Sequence, residues 1–482
     1  MRTAATLAAV FVLAALSACK PAPAADPQLV AQWMRTSLAF VRAERLGPPV
    51  ASRISAYASI ALYEGYAAGG GTSLRSLAGQ VNGLERLPQH PEGGPLDGAV
   101  VAATAERVVL DSLFRDGFAS TRRTIDSLSA AQIAARTAAG VADAQRDRSV
   151  KHGEALGRAI LAWAATDSFF ATRGRPWSAP ATPGSWQNTA TPDQYVPLML
   201  SAESDIVKPE NPNAALELDR VAERWVFTNR PKAGGATTLP AFNPTKPTEP
   251  YWGELRPFVL ETGDACAPPP PPTYSEQPGS PFYAMAEAFY DSVKTLTPAQ
   301  KEIALFWGDN PVATGTPGFH WISLANQMVA RRSLGAEQAA ELYLLTSVSI
   351  ADAFIGCWRE KYRSMVVRPV ATTRKLFDPA YQTVIPTPPF PEYTSGHSVQ
   401  SGAAVHVLTA LLGDTIAFVD STQVDIGWAP RAFKNFTAAR DEVSVSRVYA
   451  GVHFWPAVKD GLAQGECIGT KVMTRIQTRR AK

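Results

Sequence analysis

Three short blocks in the last third of the chain gather side chains that bind anions. Lys361 and Arg368 lie in KYRSMVVRP, Ser395, Gly396 and His397 form SGH, and Arg447 and His453 bracket RVYAGVH. Lys361 and Arg368 are seven residues apart, two helical turns, so a continuous helix places them on one face until Pro369 stops it. SGH follows the Pro-rich approach TPPFP and opens an Ala- and Val-rich helix. Its first-turn N–H groups therefore point outward, a ready anion site. Alone, each block reads blandly: a solvated Lys/Arg face, a serine cap, a structural histidine. Together they supply two guanidiniums, an ammonium, a helix N-terminus and two imidazoles. That set suits a tetrahedral or trigonal oxyanion of multiple negative charge, with Arg forks on its oxygens. One imidazole can bond the central atom while the other handles a proton opposite.

Helices must carry these blocks. Residues 27 to about 170 read as helical: Ile54, Tyr57, Ala58 and Ala61 share one apolar face. Further stretches run from about Leu96 to Phe114 and Thr124 to Ala165, with Gly140 a break. From about Arg173 to Gln277 proline, glycine and tryptophan recur, ending in the run Pro268 to Pro272. Trp177, Trp186, Trp225 and Trp252 are costly to leave in water, so an ordered wrap over the helices is expected. Helices resume near Pro281. Thr297-Pro298-Ala299-Gln300 is a capping box opening a helix that ends near FWGDN. Leu344, Val348, Ala351 and Ile355 mark another that runs towards Trp358 and Lys361. The last helices begin at SGH and near Pro456, and no internal repeat is evident.

The 482 residues suffice for two or three domain-sized units. A net charge of +3 gives no bulk electrostatic case for nucleic acid. Residues 1–25 read as an export signal. Arg2 precedes an apolar stretch from Ala4 to Leu16, and Leu16-Ser17-Ala18-Cys19 resembles a lipobox with Cys19 as the lipidated residue. The alternative is cleavage after a small residue such as Ala25. A lipid on Cys19 anchors the protein to a bacterial membrane, facing the periplasm or cell exterior, without spanning it. Beyond the signal, no apolar run reaches the roughly 20 residues needed to cross a bilayer; Ala403 to Val419 comes nearest. Cys266, Cys357 and Cys467 then remain, enough for one disulfide whose pair the sequence does not choose. With no CxxC, no HExxH and no His/Cys cluster at metal spacing, zinc and haem are not expected.

The order K-x6-RP, SGH, SR-x5-H resembles the superfamily of vanadium-dependent haloperoxidases and type-2 phosphatidic acid phosphatases, most closely its bacterial haloperoxidase branch. CWREKYRSMVVRPV (357 to 370) and PTPPFPEYTSGHS (386 to 398) look like that branch across loops as well as motifs. FWGDNP (306 to 311) and GTPGFHW (315 to 321) do too. The likeness is loose over 27 to 475 and good over 300 to 465. It implies an all-α fold of two helical bundles with long Pro/Trp-rich connecting loops and the oxyanion site in the C-terminal bundle. Its expected segments are 27–172, 173–280 and 281–476.

The resemblance also implies roles. Lys361, Arg368, Ser395, Gly396 and Arg447 would bind vanadate or phosphate oxygens. His453 would be the vanadium ligand or the phosphohistidine nucleophile, and His397 the acid/base. Asp309 matches an aspartate that pairs with the last arginine. Trp358 and Phe390 sit where chloroperoxidases carry tryptophan and phenylalanine. The implied reaction uses vanadate as cofactor. Hydrogen peroxide, polarised by Lys361, oxidises a halide, with a halide or small organic molecule as the other partner. The alternatives are an acid phosphatase and a phosphate- or vanadate-binding lipoprotein without turnover. Thr394 replaces the usual proline of PSGH. Ala457 stands where many relatives place an aspartate that orients the histidine; Asp460, nearly one turn on, is the expected substitute. His90, His152, His320 and His406 are read as structural, with His320 packing near the site.

Overall fold

The computed structural model describes residues 25–190, 215–219, 224–228, 239, 241–310 and 314–480. Cys19 and the leader lie outside the described residues. The described chain is predominantly helical, with two short antiparallel pairs. One joins β1 (Ala215–Asp219) to β2 (Arg224–Thr228), and the other β3 (Phe418–Asp420) to β4 (Arg431–Phe433).

In the N-terminal half, helices α1 (Pro27–Ala43), α2 (Pro48–Ala67), α3 (Gly98–Leu113), α4 (Ala119–Ala138) and α5 (Asp143–Ala164) pack together. Asp26 caps α1 and Asp97 caps α3, each through its carboxylate. Gly140, at φ +100, separates α4 from α5. A short turn of helix, α6 (Phe169–Thr172), leads into the Pro-rich segment.

The C-terminal half holds α7 (Pro281–Val293), α8 (Pro298–Phe306), α9 (Thr316–Arg331), α10 (Ala336–Ser364), α11 (Pro369–Leu376), α12 (Gly396–Leu412), α13 (Phe436–Tyr449) and α14 (Trp455–Arg475). The Thr297–Gln300 capping box opens α8 as the sequence requires. One apolar core joins both halves: Trp33 and Tyr57 share it with Leu344, Val399 and Ile468. The central α10 touches α2 on one side and α12 on the other.

Two expectations fail here. Pro369 does not stop the helix carrying Lys361. That helix ends at Ser364, Met365 caps it in the left-handed region, and Pro369 begins α11 with Arg368 at its N-cap. Lys361 and Arg368 therefore meet across a turn rather than along one helical face. Among the described residues α10, not the stretch from Ala403 to Val419 that came nearest by sequence, is long and apolar enough to cross a membrane; its apolar window is 94% buried inside the protein.

The Pro-rich segment is tied down where it is described. Trp186 and Trp252 are buried, Trp177 is half-buried, and Trp225 lies in β2, its side chain outside the described residues. Buried Asp352 of α10 accepts the N–H groups of Phe258 (2.7 Å), Val259 (2.8 Å) and Leu260 (3.0 Å). Burial still pushes its carboxyl up to about 6. Cys266 bonds to Cys467 of α14, which settles the pairing, and Cys357 stays free and buried.

Close packing of α12 on α14 positions the site. A Cβ on Gly465 would lie 2.1 Å from the Val399 carbonyl oxygen, so only glycine permits this approach. The contact brings the N-terminus of α12, with His397, beside the turn that enters α14, with His453.

Candidate active site

A pocket of about 580 Å³ opens at that junction. From the expected set, Asp309, Trp358, Phe390, Gly396, His397, Arg447 and His453 line it. Lys361, Arg368 and Ser395 stand directly behind this wall.

Ser395 is the N-cap of α12, its hydroxyl accepting from Ser398 N–H at 3.4 Å. The N–H groups of Gly396 and His397 head the helix with no acceptor among the described residues. His397, 12% exposed, holds its Nε2 4.0 Å from Asp309 Oδ2. That nitrogen has no hydrogen-bond partner among the described residues. Burial, then the Arg447 and His320 charges, keep the imidazole well below its ordinary value and hence neutral.

His453 is fixed from both sides. Arg368 Nη1 lies 3.2 Å from its Nε2, and Glu392 Oε1 lies 3.0 Å from its Nδ1. A guanidinium only donates, so Nε2 is the acceptor and the ring proton sits on Nδ1, donated to Glu392. Glu392 Oε1 also accepts the Phe454 N–H at 2.9 Å. Burial, then Arg368 and Lys361, hold His453 well below its ordinary value, and burial lifts Glu392 to about 7 against those same cations. The result is a neutral imidazole with an oriented lone pair at the pocket wall.

Each cation is anchored on main-chain carbonyls. Lys361 Nζ donates to Pro391 and Glu392 (3.0 Å each) and to Thr394. Arg368 donates to Phe390 (2.9 Å) and Val452 (2.8 Å), and Arg447 to Trp307 (3.1 Å). Burial pulls Lys361 down to about 7, while three carbonyl acceptors use the three N–H groups of an ammonium. A buried ammonium must be satisfied, and here the 391–394 loop satisfies it. Phe390 covers these cations, 5.2 Å from Lys361 Nζ and 4.9 Å from the Arg368 guanidinium, and packs 4.9 Å from Trp358.

Three further readings change. Asp309 does not pair with Arg447: its carboxylate takes His320 Nδ1 (2.9 Å) and Gln423 Nε2 (2.9 Å). Asp460 does not replace the aspartate missing at Ala457; it accepts from the Tyr393 hydroxyl at 2.9 Å, and Glu392 orients His453 instead. His320 is not an isolated core histidine, since its Nε2 also meets Asp420 Oδ2 at 2.8 Å. Glu392 carried a readable signal, being the one acid in PTPPFPEYTSGHS. His320 carried none, because its partners come from distant segments.

A family profile described as the VCPO second helical-bundle domain matches residues 371–482. Among curated proteins no sequence match is found. The chain is similar to the crystal structure of the first bacterial vanadium-dependent iodoperoxidase. Identity is 30%, coverage is 96% of this chain and 99% of that one, and the TM-score is 0.76. Holo- and apo-type structures of bacterial vanadium-dependent chloroperoxidase match in fold alone. The holo form is 16% identical over 89% of this chain and 93% of its own, with TM-score 0.59. The apo form is 14% identical over 89% and 95%, with TM-score 0.60. With a relative of that identity matched from end to end, this chain belongs to the vanadium-dependent haloperoxidases.

Proposed function

We propose that the protein is a vanadate-dependent haloperoxidase that oxidises halide with hydrogen peroxide. The observation that carries the reading is the neutral His453 lone pair at the pocket wall, oriented by Glu392 on Nδ1. The residues fit an oxyanion with a coordinating nitrogen: Gly396 and His397 N–H head a helix, the His397 Nε2 is unpartnered among the described residues, and Arg368, Arg447 and Lys361 supply positive charge. Vanadate would be held there by His453, the two arginines and the helix N-terminus, and when bound it supplies a Lewis-acidic centre that activates hydrogen peroxide towards a halide.

The chain's own residues do the rest. Arg368 presents Nε2 of His453 and must yield that contact to the anion. Glu392 keeps the tautomer. Lys361 holds the loop 391–394 in place while adding charge. His397, kept neutral by burial and lining the pocket, gives and takes the proton. Phe390 and Trp358 form an apolar wall that excludes water from the reacting centre. Ala457 kept open a binding protein without turnover; the carboxylate of Glu392 on His453 Nδ1 supports a reading with turnover. The solved relative that is 30% identical is an iodoperoxidase, which makes iodide the first halide to try.

The test is a paired assay on one purified sample: iodide oxidation with vanadate and peroxide, against hydrolysis of a chromogenic phosphomonoester without vanadate. Halide turnover that depends on vanadate supports the reading; phosphoester hydrolysis alone replaces it with a phosphatase. The proposal extends to location: an exported protein tethered through Cys19, for which fatty-acid labelling is lost in Cys19→Ala.

A further inference from the structure

The acid/base histidine rests against a turn that a second histidine clamps from behind. Trp307, Gly308 and Asp309 lead from the end of α8 into the active-site pocket. The Trp307 carbonyl oxygen accepts from Arg447 Nη1 at 3.1 Å and also bonds the His397 ring. Because His397 Nε2 has no partner among the described residues, that bond falls on Nδ1, and Nε2 keeps the lone pair. The carboxylate 4.0 Å from Nε2 belongs to Asp309. The two ends of one short turn therefore flank both nitrogens of His397. Asp309 sits at φ +43, in the left-handed region, which a residue other than glycine keeps only when its surroundings hold it there. His320 supplies that hold. Its Nδ1 meets Asp309 Oδ1 at 2.9 Å and its Nε2 meets Asp420 Oδ2 at 2.8 Å. A ring set between two carboxylates donates at both nitrogens, so it is an imidazolium. The Thr422 hydroxyl donates to Asp420 Oδ1 at 2.7 Å, and Gln423 donates to Asp309 Oδ1 at 2.9 Å. The His320 ring also stacks on the Trp307 indole at 4.5 Å. His320 thus touches both residues that flank His397. His320, Trp307, Asp309 and Asp420 are all buried. Replacing such a buried charged row by apolar side chains is often neutral for stability, so stability alone does not account for its place behind the site.

We propose that His320, anchored by Asp420, is the positioning residue of the acid/base histidine: it fixes the 307–309 turn so that the Trp307 carbonyl and the Asp309 carboxylate flank His397. The inference rests on the haloperoxidase reading, in which His397 takes and gives one proton. While His397 is neutral, its Nδ1–H donates to Trp307 and its Nε2 is open to accept. When Nε2 takes the proton the ring becomes an imidazolium, and Asp309 is the counter-charge placed to receive the new N–H. Their 4.0 Å gap is of the kind that tightens in the reacting complex. The proton returns from Nε2 to the reacting group. None passes through His320, whose two N–H groups stay on their carboxylates. The charged and titratable groups around the clamp are Asp309 from the turn, Asp420 from β3, His397 from α12, and Arg447 and Glu442 from α13. Of these, Arg447 bonds the Trp307 carbonyl and Glu442 holds the Trp307 indole N–H at 2.9 Å.

The test compares vanadate-loaded wild type with His320→Gln and with the double variant His320→Gln/Asp420→Asn, each also made in a His397→Ala background. kcat and KM for iodide oxidation, vanadate affinity and melting temperature are measured for all. The clamp predicts kcat lower by about 10–100-fold in His320→Gln, with KM and vanadate affinity changed far less. In the double variant the amide at 320 can donate to Asp309 and accept from the amide at 420, so the row closes again and most of the loss is recovered. His397→Ala alone slows turnover by about 10²–10⁴-fold. On that background His320→Gln should cost nothing further, because the clamp acts through His397. An equal loss in both backgrounds overturns the proposal. So does a wild-type kcat in His320→Gln, or a loss that follows melting temperature and persists in the double variant. Where the His397→Ala rate is too slow to read, recovery in the double variant decides. If wild type hydrolyses phosphoester and oxidises no halide, the haloperoxidase reading fails on its own. The same variants are then run on phosphoester, where equal losses in both backgrounds overturn the clamp as well. Turnover of neither substrate overturns it outright.

Discussion

Replacing Glu392 separates coordination from electrostatic capture. Glu392→Ala removes the acceptor of both His453 Nδ1–H and Phe454 N–H, leaving two buried donors unsatisfied at about 1–3 kcal/mol each. Part of that cost falls on stability and part on the orientation of His453. Losing a partner that orients a metal-binding histidine typically weakens the metal by 10–100-fold, or about 1.4–2.8 kcal/mol. The missing negative charge works the opposite way, because Arg368 and Lys361 then face an anion with less neutralisation. Phosphate binding measures that second effect, since charge and N–H groups hold phosphate without a bond from His453. The quantity to follow is therefore the ratio of vanadate to phosphate affinity, by isothermal titration on folded protein. We expect the ratio to fall about 10–100-fold in Glu392→Ala. Glu392→Gln keeps an oxygen acceptor and should lose about tenfold or less. Asp460→Ala should leave the ratio unchanged, because Asp460 serves Tyr393. An unchanged ratio in Glu392→Ala, or an equal fall in Asp460→Ala, would refute the assignment of the orienting carboxylate.

His453→Ala should abolish halide turnover while phosphate still binds, since the cations and helix N-terminus remain; Arg447→Ala should weaken both, read by the same titrations. His320 titrates at about 10 in the folded protein: burial opposes its charge, but Asp309 and Asp420 hold the proton. Because that value lies above the ordinary ~6.5, the stabilisation is complete below about 6.5 and is lost as pH rises through about 10. Chemical denaturation of wild type against His320→Gln should therefore show a gap that shrinks towards alkaline pH by on the order of 4 kcal/mol; a gap independent of pH would count against the buried imidazolium.

The sequence was most legible where chemistry and secondary structure coincide. Ser395-Gly396-His397 is both a helix start and a candidate anion site, and Thr297–Gln300 declares its own cap. Legibility failed where a residue's partner is set by tertiary approach. Pro369 was ambiguous because proline ends one helix as readily as it begins another, and the left-handed turn at Met365 decided the matter. Ala457 drew attention to Asp460 through helical spacing, yet position 457 is buried against Val366 and Tyr393. The carboxylate that reaches His453 arrives from the loop at 392, sixty-one residues away in sequence. Asp309 was placed in the right pocket with the wrong partner, because the strand carrying Asp420 and the following Gln423 draw it to His320.

These corrections bear on how five cationic or basic groups, Lys361, Arg368, Arg447, His397 and His453, share one buried site. Unpaired buried charges are costly, and like charges add to the cost. The fold answers with dipoles rather than counter-ions: six main-chain carbonyls, from Trp307, Phe390, Pro391, Glu392, Thr394 and Val452, accept from Lys361, Arg368 and Arg447. Among the described residues Glu392 is the only carboxylate bonded to His453, and it holds Nδ1, the nitrogen opposite the one that Arg368 meets. Carbonyl dipoles satisfy the N–H groups without cancelling the net charge, so the positive field is kept for an anion. Most of these carbonyls lie between 390 and 394, immediately before the SGH helix. The same short loop thus seats the cations, orients His453 and aims the N–H groups of Gly396 and His397. A change in that loop should disturb all three together, whereas a change in any one cation should leave the other two in place.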